Sequence, residues 1–323
     1  MTTFRFGVNF GNTEIGRWPD FCRSSERLGF DVILAPDHLG APSPFAMLGA
    51  AAVATTRVRL GTLVVNNEFW NPAVLAREAA TVDRLSGGRL ELGLGAGHMK
   101  AEFDRAGIPW RPHAERVDRL EGAIRELDTL FAEDGQQPLP RQVPRPPLLI
   151  GAHGERTLAL AARHADIIGF GGLTQLKGRR MGEFGVAGPE ETLQRADFVR
   201  ERAGSRAAHL EFNVLVQGVF LTDDAEKKAA ELAVKLADSG LGTVRSVLDS
   251  PYLLVGTAEE IAAEIIANRD RYGFGYVCTH GPYRDALAEV IPLVRRKAGE
   301  EPDPPEPVDR PRGADTLPGT ADT

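Results

Sequence analysis

The sequence predicts an α/β chain closed into a (β/α)8 TIM barrel, with insertion loops at the C-terminal face. Three observations carry this. Strand-like apolar runs alternate with helical periodicities about eight times over roughly 290 residues. One stretch spells out the repeating unit: the runs Val58–Val65 and Leu90–Gly95 are joined by a helical segment that Asn71-Pro72 opens and Leu85-Ser86-Gly87-Gly88-Arg89 closes. Parallel neighbours need such a crossover. Finally, ligand-like residues follow many strands rather than one switch point, which favours a barrel over a doubly wound sheet.

The elements follow in order. Phe4–Phe10 alternates and ends at Gly11-Asn12, a first strand. Ile15–Leu28 has helical spacing and stops at Gly29. Phe30–Ala35 is the second strand and runs into Pro36-Asp37-His38; the apolar helix Phe45–Thr55 precedes the third strand, Val58–Val65. Ala73–Leu85 is helical, Leu90–Gly95 the fourth strand, and Trp110–Phe131 a long helix with Val117, Leu120, Ile124, Leu127 and Leu130 on one stripe. The Pro-rich stretch Gln136–Pro147 is loop. Leu148–Gly151, helix Glu155–His164 and Ile167–Gly171 continue the alternation, then Gly172–Gly188 forms an unusually long loop. Helix Pro189–Ala203, strand Phe212–Leu221 and helix Asp223–Leu236 lead to an insertion, Ser239–Leu254, without an assigned structure. A capping box, Thr257-Ala258-Glu259-Glu260, opens helix Thr257–Arg271; Gly275–His280 is the eighth strand and Tyr283–Arg296 the last helix. The barrel is expected over residues 1–298, and residues 299–323, rich in Pro, Asp and Glu, as a disordered tail.

Composition narrows the function classes. Hydrophobic content of 42% with 26% charged residues describes a soluble globular protein, and a net charge of −7 with no basic face argues against nucleic-acid binding. No apolar run approaches the roughly 18 residues of a membrane span. Cys22 and Cys278 lie far apart, without zinc spacing, and read as buried thiols. A cytoplasmic enzyme acting on a small molecule, with no metal, fits these bounds.

Candidate chemistry collects after the strands. Asp37-His38 pairs an acid with a proton donor suited to neutral pH, or else is a loop histidine at a helix end. Gly93-x-Gly95-x-Gly97 lacks the third glycine of a dinucleotide fingerprint in phase. Its glycines indicate either a flat ligand close to the backbone or tight strand–helix packing. Gly151-Ala152-His153-Gly154-Glu155-Arg156-Thr157 runs from a strand into a helix N-terminus that suits an anion, and Gly169-Phe170-Gly171-Gly172 adds a second glycine-rich end. Lys177, Arg179 and Arg180 either close over an anionic group or form an exposed charge run. Trp70 and Asn66-Asn67 line a pocket or pack in the core; His98 ends the fourth strand and His280 the eighth; His113, His164 and His209 read as ordinary histidines.

Taken together, Asp37-His38, Leu60-Gly61-Thr62 with Asn71-Pro72-Ala73, Arg89-x-x-x-Gly93-x-Gly95-x-Gly97 and Val255-Gly256-Thr257-Ala258-Glu259-Glu260 resemble the bacterial luciferase-like monooxygenase superfamily over roughly residues 4–296. The resemblance implies a (β/α)8 barrel binding flavin mononucleotide (FMN) or the deazaflavin coenzyme F420 at the strand ends, and is strongest to the F420-dependent oxidoreductases of actinobacteria. In such relatives a bulge with a non-prolyl cis peptide ends the third strand behind the deazaflavin ring; the matching bond here is Leu63-Val64. By resemblance, then, the ring lies against Leu63, Val64, Val65 and Asn66 and against Gly95, Ala96, Gly97 and His98. The coenzyme phosphate lies on Gly151, Ala152, His153 and Gly154 with Gly171 and Gly172. His38 exchanges a proton with the substrate and Asp37 orients it. Hydride moves between deazaflavin C5 and a small organic substrate. An FMN monooxygenase using oxygen, and a flavin-binding barrel without turnover, are the alternatives. A homodimer is the family habit. One departure is informative: sugar-phosphate dehydrogenases of this group carry a Glu where His98 stands, and their phosphate-binding lysines have no clear match, which puts sugar-phosphate oxidation in doubt.

Overall fold

Eight parallel staves close on themselves in the computed structural model, which describes residues 3–10, 14–132, 134–135, 137–175 and 184–300. In chain order the strands are β1 (Arg5–Asn9), β2 (Val32–Ala35), β3 (Arg59–Thr62), β4 (Val65–Asn66), β5 (Leu90–Gly95), β6 (Leu148–Gly151), β7 (Ile167–Phe170), β8 (Leu173–Gln175), β9 (Phe184–Val186), β10 (Glu211–Val216), β11 (Gly218–Leu221), β12 (Leu253–Gly256) and β13 (Phe274–His280). The barrel order is β3-β2-β1-β13-β10-β7-β6-β5-β4, with β3 also paired to β5, so the third stave is one strand broken in two and the ring has no free edge. Around it run α1 (Trp18–Arg27), α2 (Pro44–Ala54), α3 (Pro72–Leu85), α4 (Lys100–Ala106), α5 (His113–Leu130), α6 (Glu155–His164), α7 (Pro189–Ala203), α8 (Ala225–Lys235), α9 (Val244–Leu248), α10 (Ala258–Tyr272) and α11 (Arg284–Lys297).

The motif residues have local reasons. Asn71 caps α3, its side chain accepting from Ala73 N and Val74 N with Pro72 in the first turn. Thr257 and Glu260 form the expected capping box of α10. The Arg89 guanidinium donates to Thr55 Oγ1, Val58 O and Ala52 O, each at 2.8 Å, and so satisfies carbonyls at the end of α2.

Strand alternation sorts the lumen into layers. At the N-terminal end Arg5 pairs with Glu91 and, at 2.5 Å, with Glu211, while Arg59 reaches Glu91 at 2.5 Å. A cavity of about 400 Å³ opens there among these groups, Gln142 and His209. Its charges largely neutralise one another, at the mouth opposite the candidate residues. Above lie Leu34, Leu149, Ile167, Tyr276 and Cys278. Glycine makes this filling feasible. A Cβ on Gly93 would stand 1.9 Å from Thr62 O, and one on Gly95 2.7 Å from Val64 Cγ2.

Three expectations are corrected. The seventh strand does not run on through Leu221: β10 ends at Val216, and β11 leaves the barrel to pair with β12. A satellite core of Ala229, Leu232, Leu241, Val247, Leu253 and Val255 covers this pair and gives the unassigned insertion its structure, including α9. An unexpected helix, α4, lies between β5 and Trp110, and β8 and β9 form an antiparallel hairpin within the long loop. Glu300, the last described residue, accepts from Phe4 N at 2.7 Å. The remainder of the expected tail, and Lys177, Arg179 and Arg180, lie outside the described residues.

Gly93→Ala is expected to cost more than about 3 kcal/mol or abolish folding, because the new methyl meets fixed backbone. Gly122→Ala, in an open position of α5, is expected to add about 0.5–1 kcal/mol. Urea unfolding of both variants checks the pair; a mild effect at Gly93 would contradict the packing.

Candidate active site

The mouth is built from the ends of β2, the broken stave β3/β4, β5, β6, β7 and β13. After β2 the chain presents Asp37 and His38. Asp37 is buried, and its Oδ2 accepts from Trp70 Nε1 at 2.8 Å and Asn66 N at 3.1 Å. Burial raises its pKa, and these two hydrogen bonds oppose the rise. Asp37 therefore ties the second stave to the third. The carboxylate that meets His38 belongs to Glu102 on α4: His38 Nδ1 donates to its oxygens at 3.0 and 3.2 Å. Among the described residues no Asp37–His38 hydrogen bond occurs; the carboxylate bonded to His38 is that of Glu102. An ionised carboxylate only accepts, so the proton of this contact belongs on Nδ1, and in that neutral tautomer Nε2 is the acceptor. The His38 side chain is 40% exposed and that of Glu102 13%.

Glu102 is the residue that sequence reasoning missed. Its helix is held by the neighbouring Phe103, fully buried against Trp110 at 4.8 Å and Phe69 at 5.7 Å. It ends at Gly107 in the left-handed region, φ +68°. The sequence analysis assigns no element between Gly97 and Gly107, and nothing local ties Glu102 to a histidine 64 positions earlier.

The third stave breaks at Leu63-Val64, and that peptide bond is cis, as the resemblance implied. Val64 points into the lumen, where its methyls occupy the space left by Gly93, Gly95 and Gly151. Gly97, at φ +74°, lies where a Cβ would meet Asn66 Oδ1 at 2.5 Å and the Phe103 ring at 2.8 Å. Of the two readings of the glycine run, close packing accounts for Gly93, Gly95 and Gly97. Arg116 braces the strand end from behind, donating to Ala96 O at 3.1 Å and Gly97 O at 3.3 Å, with its guanidinium 3.8 Å from the Trp110 ring centroid.

Two histidines face His38's side of the mouth. His98 lies edge-on to His38, ring centroids 5.9 Å apart, and 6.4 Å from Phe184. Burial, then His38, lowers its pKa. His153, after β6, lies 6.5 Å from Phe184, and its Nδ1 is buried with no hydrogen-bond partner among the described residues. Ala152 is buried beside it, and Gly154 precedes α6 as a cap without a side-chain bond. A Cβ on Gly171 would meet nothing within 4 Å, whereas Gly172, at φ +77°, abuts the Tyr252 ring. His280 Nε2 lies 3.3 Å from Gln217 Oε1. Of the histidines read as ordinary, His113 stands by Thr157 at 3.4 Å, His164 pairs with Glu121, and His209 lies at the opposite mouth. Cys22 and Cys278 are buried free thiols, pushed up to about 12 by burial.

Burial holds His153 down at about 3, with Arg195 and the other histidines adding to the effect. An unfolded histidine titrates near about 6.5, so below that pH the unfolded state binds more protons. The contribution to stability is complete above about pH 6.5 and is lost as pH falls toward about 3. His153→Gln is expected to flatten the stability profile between about pH 6.5 and 5, by up to about 1.4 kcal/mol per unit. Urea titrations at several pH values measure this; an unchanged slope would show His153 protonated in the native state.

With this geometry in hand, comparison places the chain among known proteins. A family model described as luciferase-like monooxygenase matches residues 1–250. A 5,10-methylenetetrahydromethanopterin reductase of Archaeoglobus fulgidus is 32% identical over 172 residues, 50% of this chain; the match spans about half of that relative, 51%. An F420-dependent glucose-6-phosphate dehydrogenase of Beutenbergia cavernae is 31% identical over 316 residues, covering 84% of this chain and 91% of the relative. Among solved structures, an F420-dependent secondary alcohol dehydrogenase in complex with an F420-acetone adduct superposes with TM-score 0.69 at 18% identity, over 91% of this chain and all of that one. A long-chain alkane monooxygenase superposes with TM-score 0.71 at 14% identity, over 95% of this chain and 94% of that one. At such identities these two speak for the fold alone. The match to residues 1–250 and the identity with a relative along most of its length establish that this chain belongs to the luciferase-like monooxygenase family.

Proposed function

We propose that this chain is a coenzyme F420-dependent oxidoreductase that moves a hydride between the deazaflavin C5 and a small organic substrate. The observation that carries the reading is the His38–Glu102 pair: Nδ1–H is held by a carboxylate, and Nε2 is left as a proton acceptor at the mouth of the barrel. The full-length likeness to a relative named as F420-dependent supports the choice of coenzyme.

The mouth fits a planar ring with a phosphate-bearing tail. His153 offers a buried, unpartnered nitrogen, and the open face of Gly171 leaves room beside it. In this reading Leu63, Val64, Val65 and Asn66 with Gly95, Ala96, Gly97 and His98 hold the ring. Gly151, Ala152, His153 and Gly154, at the start of α6, and Gly171 with Gly172 hold the phosphate side. When bound, the coenzyme supplies the hydride acceptor or donor.

The protein supplies the proton chemistry. In the oxidising direction His38 Nε2 takes the proton of a substrate hydroxyl, and Glu102 stabilises the imidazolium that forms. In reverse, the same imidazolium protonates the carbonyl oxygen. Asp37 keeps the ends of β2 and β4 in register beneath it. His98 in place of a carboxylate speaks for a substrate other than a sugar phosphate.

Association as a cytoplasmic homodimer is part of the same proposal. α2 is apolar around its whole circumference, and Val53 is 77% exposed on its outer face. Sedimentation equilibrium measures this, and a monomer at micromolar concentration would contradict it.

Titrating the purified protein with F420 and with FMN tests the cofactor; tight binding of FMN alone, with oxygen consumption, would replace this reading by an FMN monooxygenase. For the residues, His38→Ala is expected to lower turnover by about 10²–10⁴-fold with coenzyme affinity kept, and Glu102→Gln by a smaller factor. Turnover is followed by the coenzyme's absorbance with a panel of small alcohols and ketones. Unchanged rates in His38→Ala would point to a barrel that binds without catalysis.

A further inference from the structure

The polar side chains around the mouth are mostly engaged by the protein itself. His38 has Glu102, Asp37 has Trp70 and Asn66, and His280 has Gln217. Asn9 stands apart. It is 4% exposed, and its Oδ1 is buried without a hydrogen-bond partner among the described residues. A buried carbonyl that gives up water and gains no donor is unfavourable, and native interiors rarely keep one without a use.

Strand alternation fixes where Asn9 points. Two residues before it, a Cβ on Gly7 would meet Cys278 Cβ at 3.0 Å and Leu34 Cδ1 at 3.2 Å, inside the barrel. Two residues earlier still, Arg5 reaches Glu91 and Glu211 across the lumen. Asn9, the last residue of β1, therefore faces the lumen at its mouth end. It is in register with His280 on one side and with Leu34 on the other, and Leu34 lies on the strand that leads to His38. An apolar residue of the same size would extend the layer of Leu34 and Leu215 without cost, so an amide at this position is best explained by something that donates to it.

We infer that Asn9 Oδ1 is the acceptor for an N–H or O–H donor of the molecule held in the mouth, which makes Asn9 a binding residue for the reaction. The inference rests on the cofactor reading above for the identity of that molecule. Two sources offer the chemistry: the pyrimidinedione N–H shared by deazaflavin and flavin rings, and a hydroxyl or amide of the substrate.

Asn9→Leu removes the acceptor and keeps the volume. Since the oxygen has no protein partner, the variant without ligand is expected to melt at or above the wild-type temperature. Binding is expected to move the other way. If the donor is on the coenzyme, fluorescence titration with F420 gives a Kd raised about tenfold or more; if it is on the substrate, Kd is kept and KM rises by a similar factor. Asn9→Ala deletes the same oxygen without added bulk and serves if Leu does not fit. Kd and KM both unchanged, at whatever melting temperature, would overturn the proposal and leave Asn9 a packing residue. The wild type is titrated alongside. If it fails to bind F420, the cofactor reading fails, and the same variants titrated with FMN still decide the role of Asn9.

Discussion

The break in the third stave is the constraint on which the mouth depends. Between β3 and β4 the chain turns Val64 into the lumen, and the two neighbouring staves β5 and β6 leave space for it by carrying no side chain at Gly93, Gly95 and Gly151. Barrel interiors are normally filled by bulky branched residues from alternate strands. Here one stave supplies the filling for two others. With Val64 seated, β4 resumes pairing with β5 at Val65 and Asn66, and Asn66 N comes within reach of Asp37. The same folding-in keeps the strand ends above it clear of side chains.

Carboxylates, of which Asp37, Glu26 and Asp83 are buried, tie segments together by accepting backbone N–H groups that pairing leaves over. Asp37 accepts from Asn66 N; Asp31 from Phe6 N, with Arg295 as its counter-ion; Glu26 from Arg57 N and Val58 N; Asp83 from Arg141 N and Gln142 N; Asp166 from Leu148 N. Each links segments distant in sequence, and at Asp37, Glu26 and Asp83 the carboxylate that does so is withdrawn from water. Such contacts are costly to break from one side, because the remaining partner is left desolvated. The loops so held sit on a rigid frame.

At the mouth, three consecutive staves supply groups of different character. β1 ends in an amide whose oxygen has no partner among the described residues, β2 leads to the His38 imidazole, and the broken third stave supplies an apolar wall. Glu102 and His98 enter from the loop after β5, so the His38 environment is assembled from segments about 60 residues apart. Burial lowers the pKa of His98, His153 and His280, and the carboxylate bonded to His38 is that of Glu102.

By itself the sequence determined the alternation, and with it the eight staves, the capped helices α3 and α10 and the ends at which chemistry collects. Hydrophobic periodicity and capping are local, and local patterns survive into any fold consistent with them. Tertiary structure decided the rest. The glycine run suits both a ligand and close packing, and only the structure shows Val64 packed against Gly93 and Gly95 and the Phe103 ring against Gly97. Asp37 adjoins His38 in sequence, yet its oxygen is turned to Trp70 and Asn66. The carboxylate that does reach His38 arrives on a short helix that no periodicity marked. Phe212–Leu221 reads as one strand, but β11 pairs with β12 because a satellite core covers it. In each case the outcome rests on contacts between residues far apart in the chain. A side chain's partner is chosen by three-dimensional proximity and by competition for buried hydrogen bonds, and neither is written in the spacing of residues along a strand.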